Sequence, residues 1–296
     1  MSRWLRSRTR RSRVSLGLSA TGVAMVWRAA NGSLEHRVST SPLAAVPEIV
    51  AGWVQGTPTL ASLLKGRPMS VTMAEDLVRW WLVKAPLGAR SLSELEAFAR
   101  LRHEELFGQK LDEWTVQCRW RLDGPSVCCA LSGSAAACAQ ALRSQVGLSL
   151  SDICPATQRL MDIWRKAKHS PDVLVCRSSS DRAVAWWSVD GAPVELRAVR
   201  LPVVDPMATL DRELARMSSR RSEALSREQE SPAPDRAVLL DAFSSQGAPA
   251  FALNGWRAER YELPSLAAVP ADSPAAMAAA LGAAHLEGSH EFVAGH

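Results

Sequence analysis

The residues that could do chemistry in this chain form no complete catalytic motif. The segment 17–21, Gly-Leu-Ser-Ala-Thr, comes within one residue of the Gly-x-Ser-x-Gly nucleophile elbow but ends in Thr21, so a serine hydrolase is not predicted. The chain contains no Gly-x-x-x-x-Gly-Lys phosphate loop and no Gly-x-Gly-x-x-Gly dinucleotide fingerprint. Its six His match no usual zinc spacing. The motifs therefore predict neither a catalytic residue nor a metal site.

The cysteines predict no disulfide framework. None forms a Cys-x-x-Cys pair, and most lie in apolar runs, which is typical of buried free thiols in a reducing compartment. A chain of 296 residues can also bury a core without covalent cross-links. The six residues are Cys118, Cys128, Cys129, Cys138, Cys154 and Cys176.

The positive charge is concentrated at the N-terminus. The net charge is +5, but seven Arg and no acidic residue precede Glu35, so residues 35–296 carry a net −2. Residues 1–13 therefore form a basic arm, which is either a solvated tail or a contact for anionic lipid or nucleic acid. The contact residues in the second interpretation are Arg3, Arg6, Arg8, Arg10, Arg11 and Arg13.

We expect neither an export signal nor a membrane span. The uncharged stretch 14–27 follows the basic arm, but its Ser, Thr and Gly residues make it only weakly apolar. Residues 124–142 also lack charge, but Gly124 and Pro125 favour a strand, a turn and a helix over a spanning helix. A cytoplasmic protein is therefore expected.

Strand and turn signals predict two copies of a β-β-β-α unit. The first copy begins with strands at 14–19, 23–30 and 33–39. Asn31-Gly32 is expected to form a type I′ turn, in which both central residues have positive φ. The second copy has strands at 172–178, 182–189 and 194–201, followed by a helix at 206–225. Each copy carries a Trp five residues before the Gly of a turn, which indicates a duplication.

A capped helix lies between the two copies. Ser91-x-x-Glu94 is a capping box, and Gly108 fits the end of a helix that runs to about Phe107. His103 lies on this charged helix and is expected to face solvent. A final Ala-rich helix is predicted at 273–284.

Two adjacent tryptophan pairs mark predicted strands. Trp80-Trp81 and Trp186-Trp187 each point one ring to either face of a strand. Because helices cover both faces of a central parallel sheet, we expect these rings to lie in the core. The alternative is a partly exposed ring that anchors a partner.

Two segments carry a resemblance to a protein family. Residues 69–107 combine a strand, an apolar–basic–Pro stretch and a helix with Glu-Leu-Glu-Ala. Residues 126–164 add an apolar strand, a helix, the short strand LSLSDICP and a further helix. With this order of elements, the chain resembles the actin-like cytoplasmic proteins of type IV pilus assembly and their type II secretion relatives. The resemblance covers roughly 14–200 and fades after that.

The resemblance implies an α/β fold of the actin-like, RNase H-like type, with two lobes built from duplicated β-β-β-α units. The expected organisation is an arm at 1–13, a first lobe at 14–154 with a strand-helix-strand insertion at about 77–132, a second lobe at 155–286, and a tail at 287–296.

The departures from the family pattern indicate a degenerate, non-catalytic member. Active superfamily members carry Asp-x-Gly in the first hairpin of each lobe, where the carboxylate positions metal and water. Ser19 and Arg177 stand near the two expected Asp positions, and neither can replace a carboxylate. We expect no hydrolysis, no metal and no cofactor; binding of ATP without turnover stays open. The vestigial nucleotide site comprises Ser19, Thr21, Gly22, Arg177, Ser178 and Ser179.

The function implied by the resemblance is a cytoplasmic scaffold for a pilus or secretion complex of the inner membrane. Relatives bind the short cytoplasmic tail of a single-pass membrane protein in a groove of the first lobe, so the chain would dock peripherally from the cytoplasm. One alternative is an active nucleotide-binding ATPase of the same fold. Another is a binder of nucleic acid or anionic lipid through the Arg-rich arm.

Overall fold

The computed structural model describes residues 14–29, 31–108, 114–121, 124–165, 173–177, 179, 181–189, 192–202, 204–225, 236–241, 257–262 and 273–287. The arm at 1–13 lies outside the described residues, and so does all of the tail except Glu287.

The described residues form seven α-helices and thirteen strands in three sheets. The strands are β1 (Val14–Ser19), β2 (Gly22–Arg28), β3 (Leu34–Thr40), β4 (Met69–Met73), β5 (Val78–Val83), β6 (Trp114–Arg119), β7 (Ser126–Ser132), β8 (Leu150–Pro155), β9 (Val173–Arg177), β10 (Arg182–Val189), β11 (Ala192–Arg200), β12 (Arg236–Asp241) and β13 (Arg257–Glu262). The helices are α1 (Val46–Gly56), α2 (Pro58–Leu64), α3 (Leu92–Phe107), α4 (Gly133–Ser144), α5 (Ala156–Arg165), α6 (Pro206–Leu225) and α7 (Pro274–Glu287).

The predicted duplication is present in the two larger sheets. The first sheet has the order β3-β2-β1-β4-β8, and the second has the order β11-β10-β9-β12-β13. In each, three antiparallel strands are followed by two strands that run parallel to the first of them. Strands β1 and β4 are buried along their whole length, as expected for a sheet covered on both faces.

Helix α7 approaches the first sheet closely because small residues meet on both sides. A Cβ atom on Gly17 would overlap the backbone of Ala275 and Ala279, and one on Gly282 would overlap the hydroxyl of Ser15. The sequence assigns this helix to the second lobe, whereas the structure packs it on β1, β2 and β4. The C-terminal helix therefore returns to the first sheet.

The smaller sheet is antiparallel, with the order β5-β7-β6, and lies within the predicted insertion. Helix α3 covers it and has the predicted caps. The Ser91 hydroxyl accepts a hydrogen bond from the Glu94 N–H at 3.2 Å, and Gly108 has φ +64°. Strand β5 also packs against β11, which brings the inserted sheet against the second sheet.

The tryptophan pairs lie in the core, as predicted. Trp80, Trp81, Trp186 and Trp187 are all buried. The rings of each pair enter different apolar clusters, because neighbouring strand residues point to opposite faces. Trp80 and Trp186 meet edge to face, with their ring centroids 5.7 Å apart.

The turn between β2 and β3 differs from the predicted type I′ turn. Gly32 has φ +84°, but Asp205 is the one described non-glycine residue with positive φ, so Asn31 is not left-handed. The Gly32 N–H donates to the carbonyl of Ala29 at 3.0 Å, and the Asn31 side chain accepts a hydrogen bond from the Ser33 N–H. The Asn31 side chain stabilises a turn in which, among its described residues, Gly32 takes the left-handed conformation and Asn31 does not.

The prediction that all six cysteines are free thiols is wrong for one pair. Cys118 and Cys128 lie directly opposite each other on β6 and β7, with Cα atoms 4.0 Å apart, and form a disulfide. The register of β6 and β7 places the two residues opposite each other. The spacing of the cysteines along the sequence does not indicate this pairing. The four free cysteines are Cys138 and Cys176, which are buried, and Cys129 and Cys154, which are half-buried.

The expectation that His103 faces solvent is also wrong. Its side chain is fully buried, and its ring lies 5.1 Å from that of Trp81 and 4.7 Å from that of Phe107. The charged residues of α3 suggested an exposed helix, so the sequence did not indicate that His103 lies on the face that packs on the inserted sheet.

Candidate functional site

The first hairpin presents its backbone to a carboxylate of the same chain. Ser19 ends β1, and its buried hydroxyl donates to the carbonyl of Gly22 at 3.3 Å. Thr21 is exposed at the tip of the turn. The Ala20 N–H donates a 2.8 Å hydrogen bond to Asp76 Oδ2. The turn amide that a phosphate would need is therefore bonded to Asp76.

Gly22 is required by its close approach to the neighbouring strand. A Cβ atom at this position would lie 2.9 Å from the carbonyl oxygen of Ser39 on β3. The sequence predicted that Gly22 belongs to a phosphate-binding turn. The structure shows that a small residue here also allows β2 and β3 to pack closely.

The second hairpin has Arg177 near the position where the sequence pattern of active members has Asp. Arg177 ends β9 and is half-buried, and Ser178 lies outside the described residues. The buried Ser179 hydroxyl donates to Asp181 Oδ1 at 3.0 Å. Asp181 also pairs with Arg182 at 3.6 Å. The acid of this hairpin is therefore bonded within its own turn.

Asp76 lies where the two hairpins face each other. Burial raises the pKa of Asp76, and the Ala20 N–H and the charge of Arg182 lower it, while Asp181 raises it further. Its Oδ1 atom is buried and has no hydrogen-bond partner among the described residues. Asp76 thus bonds the turn of the first hairpin through Ala20 and interacts electrostatically with the Asp181-Arg182 end of the second hairpin.

Glu75, beside Asp76, is fully buried and joins three elements. Its Oε2 atom accepts a 2.8 Å hydrogen bond from the Trp80 indole of β5. Its Oε1 atom accepts a 3.0 Å hydrogen bond from the Thr157 N–H in the first turn of α5. Burial raises the pKa of Glu75, and these hydrogen bonds lower it in part. Glu75 therefore caps α5 and fixes β5.

Sequence interpretation missed Glu75 and Asp76. The available signal was their position. Two adjacent acids come one residue after the end of β4, a fully buried strand that runs parallel to β1. The end of such a strand is where ligand-binding residues collect in α/β folds. The partners of these acids, at positions 20 and 157, are far away in sequence and have no recognisable pattern.

The described residues give no support to metal or thiol chemistry. Within them, no group of three or more His, Cys, Asp or Glu could hold a metal ion. Burial raises the pKa of Cys129 and Cys154 to about 12 and that of Cys138 to about 11. These thiols stay protonated near neutral pH, so they are poor nucleophiles.

Two further features bear on a membrane role. No helix in the described part of the chain is long and apolar enough to cross a membrane. The arm residues Arg3 to Arg13 lie outside the description, so their contact with lipid or nucleic acid stays a prediction.

Comparison of the sequence with protein-family models and with curated proteins finds no match. Two solved structures are similar along nearly their whole length. One is the PilM–PilN type IV pilus biogenesis complex, with a TM-score of 0.57, 15% identity, and coverage of 94% of this chain and 99% of that chain. The other is the cytoplasmic domain of EpsL, an inner-membrane component of the type II secretion system of Vibrio cholerae. Its TM-score is 0.51, with 13% identity and coverage of 96% of this chain and 95% of that chain.

The fold is actin-like. The two sheets of identical topology, the position of the hairpins and these structural similarities agree with the fold that segments 69–107 and 126–164 predicted. The vestigial nucleotide site predicted from the sequence lies at the ends of these two hairpins. Here that place contains Asp76 and the Asp181–Arg182 pair.

Proposed function

We propose that this chain is a non-catalytic actin-like scaffold of a pilus-assembly or secretion complex at the inner membrane. The proposal includes a partner, a single-pass membrane protein whose cytoplasmic segment binds to the first lobe. Its support is the fold similarity to a pilus biogenesis complex and to the cytoplasmic domain of a secretion component.

The hydrogen bond from Ala20 to Asp76 is the observation that carries the proposal. A phosphate oxygen needs free backbone N–H groups and a favourable potential. The Asp76 carboxyl group already accepts a hydrogen bond from the turn amide, so this N–H is not free for a phosphate oxygen. Neither hairpin supplies a carboxylate to hold metal and water at the expected position, since Ser19 and Arg177 stand there. An actin-like protein without these groups is suited to binding rather than hydrolysis.

The basic arm adds a second, weaker contribution to this proposal. Clustered Arg residues next to an anionic membrane contribute about 1 kcal/mol each near the surface. The arm would concentrate the protein at the membrane, and the folded lobes would select the partner.

Recovery of the tagged protein from gently solubilised native membranes tests the proposal. We expect enrichment of small single-pass proteins of a pilus or secretion complex, identified by mass spectrometry. A matched chain without residues 1–13 should recover the same partners in lower yield. A pool without membrane partners, or recovery that depends wholly on the arm, would contradict the scaffold.

A separate measurement tests the proposal that the protein is not an ATPase. Titration with Mg-ATP, followed by tryptophan fluorescence and phosphate release, should give no saturable response at sub-millimolar concentration. A saturable response with turnover would instead support the nucleotide-dependent ATPase.

A further inference from the structure

A cavity of about 280 Å³ lies between the inserted sheet and the second sheet. Its walls come from β5, the end of α3, and the facing strands β10 and β11. Three arginines line it: Arg79, Arg182 and Arg200. None of the vestigial nucleotide residues that the structure describes lines this wall, but Glu75, next to Asp76, and Arg182, at the end of the second hairpin, both do, so the cavity borders that place.

The positive charge of this cavity is balanced only in part, because the nearby carboxylates that the structure describes, Glu75, Asp76 and Asp181, all interact with Arg182. Neither Arg79 nor Arg200 forms an ion pair with any carboxylate that the structure describes. Arg182 has Asp181 at 3.6 Å, but the buried Nε atom of Arg182 makes no hydrogen bond to the described part of the chain. Burial lowers the pKa of Arg79, and the charge of Arg182 lowers it further. The guanidinium groups of Arg79 and Arg182 therefore repel each other.

The acid beside these arginines is already engaged. Glu75 is the one carboxylate among the lining residues that the structure describes. Both of its oxygen atoms accept hydrogen bonds from neutral donors, the Trp80 indole and the Thr157 N–H. Its charge also interacts with Arg182, but Glu75 forms no ion pair with Arg79 or Arg200 among the described residues.

Aromatic rings hold one of the cationic groups in place. The guanidinium carbon of Arg79 lies 5.9 Å from the ring centroid of Phe107 and 5.4 Å from that of Trp114. Phe107 and Trp80 also form part of the cavity wall. The cavity thus offers fixed N–H donors beside an apolar surface.

We propose that this cavity binds a compact small molecule with oxyanion groups, held by Arg79, Arg182 and Arg200 and packed against Trp80 and Phe107. Guanidinium forks bind carboxylate or phosphate with two parallel hydrogen bonds. A volume of about 280 Å³ is just below the range of about 300–1,000 Å³ for drug-sized ligands, which favours a small ligand over a peptide segment.

Titration of the full chain with inorganic pyrophosphate and, separately, with citrate tests this site. Ionic strength is held constant with potassium chloride, and Trp80 and Trp186 provide a fluorescence signal next to the cavity. We expect saturable binding of at least one probe. Binding of pyrophosphate alone assigns a phosphate ligand, and binding of citrate alone assigns a carboxylate ligand.

Three variants decide whether the signal comes from this cavity. Arg200→Gln changes an exposed residue at the end of β11, so the fold should remain, and the affinity should fall about tenfold or more. Arg79→Gln should reduce it similarly, with near-ultraviolet circular dichroism to check the aromatic packing. Arg197→Gln is the matched control on β11, because Arg197 pairs with Glu195 and does not line the cavity.

Three results would overturn the proposal. They are the absence of saturable binding for both probes at millimolar concentration, an unchanged affinity in the Arg200→Gln variant, and an equal loss in the Arg197→Gln control. The last would show a general effect of charge rather than a site.

Discussion

Glu75 connects three parts of the molecule through one buried carboxyl group. It accepts hydrogen bonds from Trp80 of the inserted sheet and from Thr157 at the start of α5, and it follows β4 of the first sheet. A buried carboxyl group with two fixed donors is costly to ionise but also costly to remove. Its substitution should therefore change both the stability of the fold and its dependence on pH.

The Glu75→Gln variant should show a smaller loss of stability at rising pH than the wild type. Burial raises the pKa of Glu75 above its ordinary value of 4.5. The stability that the protonated group provides is therefore fully present below pH 4.5 and is lost as pH rises through the raised pKa. Gln keeps an acceptor for Thr157 but presents an N–H to Trp80, which costs about 1 kcal/mol at acid pH. Urea unfolding from acid to neutral pH measures both effects.

Glu48→Gln is the control for this series. Glu48 is exposed on α1, so its substitution removes a carboxyl group without removing a buried hydrogen bond. The profile of this variant should run parallel to that of the wild type. A stability gap between wild type and Glu75→Gln that widens with pH would contradict the assignment.

At the scale of residues, a local motif can be read from the sequence, whereas a contact between distant residues cannot. The lack of Asp at Ser19 and Arg177 is a local fact that a motif shows directly. The bond between Ala20 and Asp76 joins residues 56 positions apart, and it exists because β1 and β4 are neighbours in the sheet. No local pattern specifies such a contact.

At the scale of elements, the strands and helices follow from local physics. The capping box at Ser91, the stop at Gly108 and the alternation of apolar residues each specify one element, and the structure has them within a few residues of the predicted bounds. The partner of α7 could not be predicted in this way. An Ala-rich helix has no distinct apolar stripe, so its sequence does not say which sheet it covers.

Gly17→Ala should destabilise the protein by about 1–3 kcal/mol or more, because an added methyl group would overlap the backbone of α7 at Ala275 and Ala279. Backbone atoms cannot rotate away as side chains do, so the helix must shift as a unit. Chemical denaturation of the full chain, followed by tryptophan fluorescence, measures the loss.

Gly52→Ala provides the matched comparison. Gly52 lies inside α1, and a Cβ atom there meets open space. Because Gly weakens a helix relative to Ala, this variant should gain about 0.5–1 kcal/mol. If Gly17→Ala were as stable as the wild type, the close packing of α7 on β1 would be wrong.

At the scale of the whole molecule, two tryptophans join the inserted sheet to the second lobe. Trp80 of β5 and Trp186 of β10 are both buried and meet edge to face. Their cluster also contains Leu16 of the first sheet and Leu240 of the second sheet. The predicted core location is confirmed, and the contact between the two pairs is an additional result of the way β5 packs on β11.

A double-mutant cycle with Trp80→Leu and Trp186→Leu should reveal energetic coupling between these parts. Each variant loses buried aromatic surface, and the pair should lose less than the sum, because an aromatic contact contributes about 0.5–1.5 kcal/mol beyond burial. Trp81→Leu with Trp187→Leu is the matched control, since these rings lie in two separate apolar clusters. Their effects should add. Coupling in the first cycle but not in the second would show that the contact between Trp80 and Trp186 contributes its own energy to the join between the inserted sheet and the second lobe. Additivity in both cycles would contradict this, because it would mean that the two rings have no direct interaction energy.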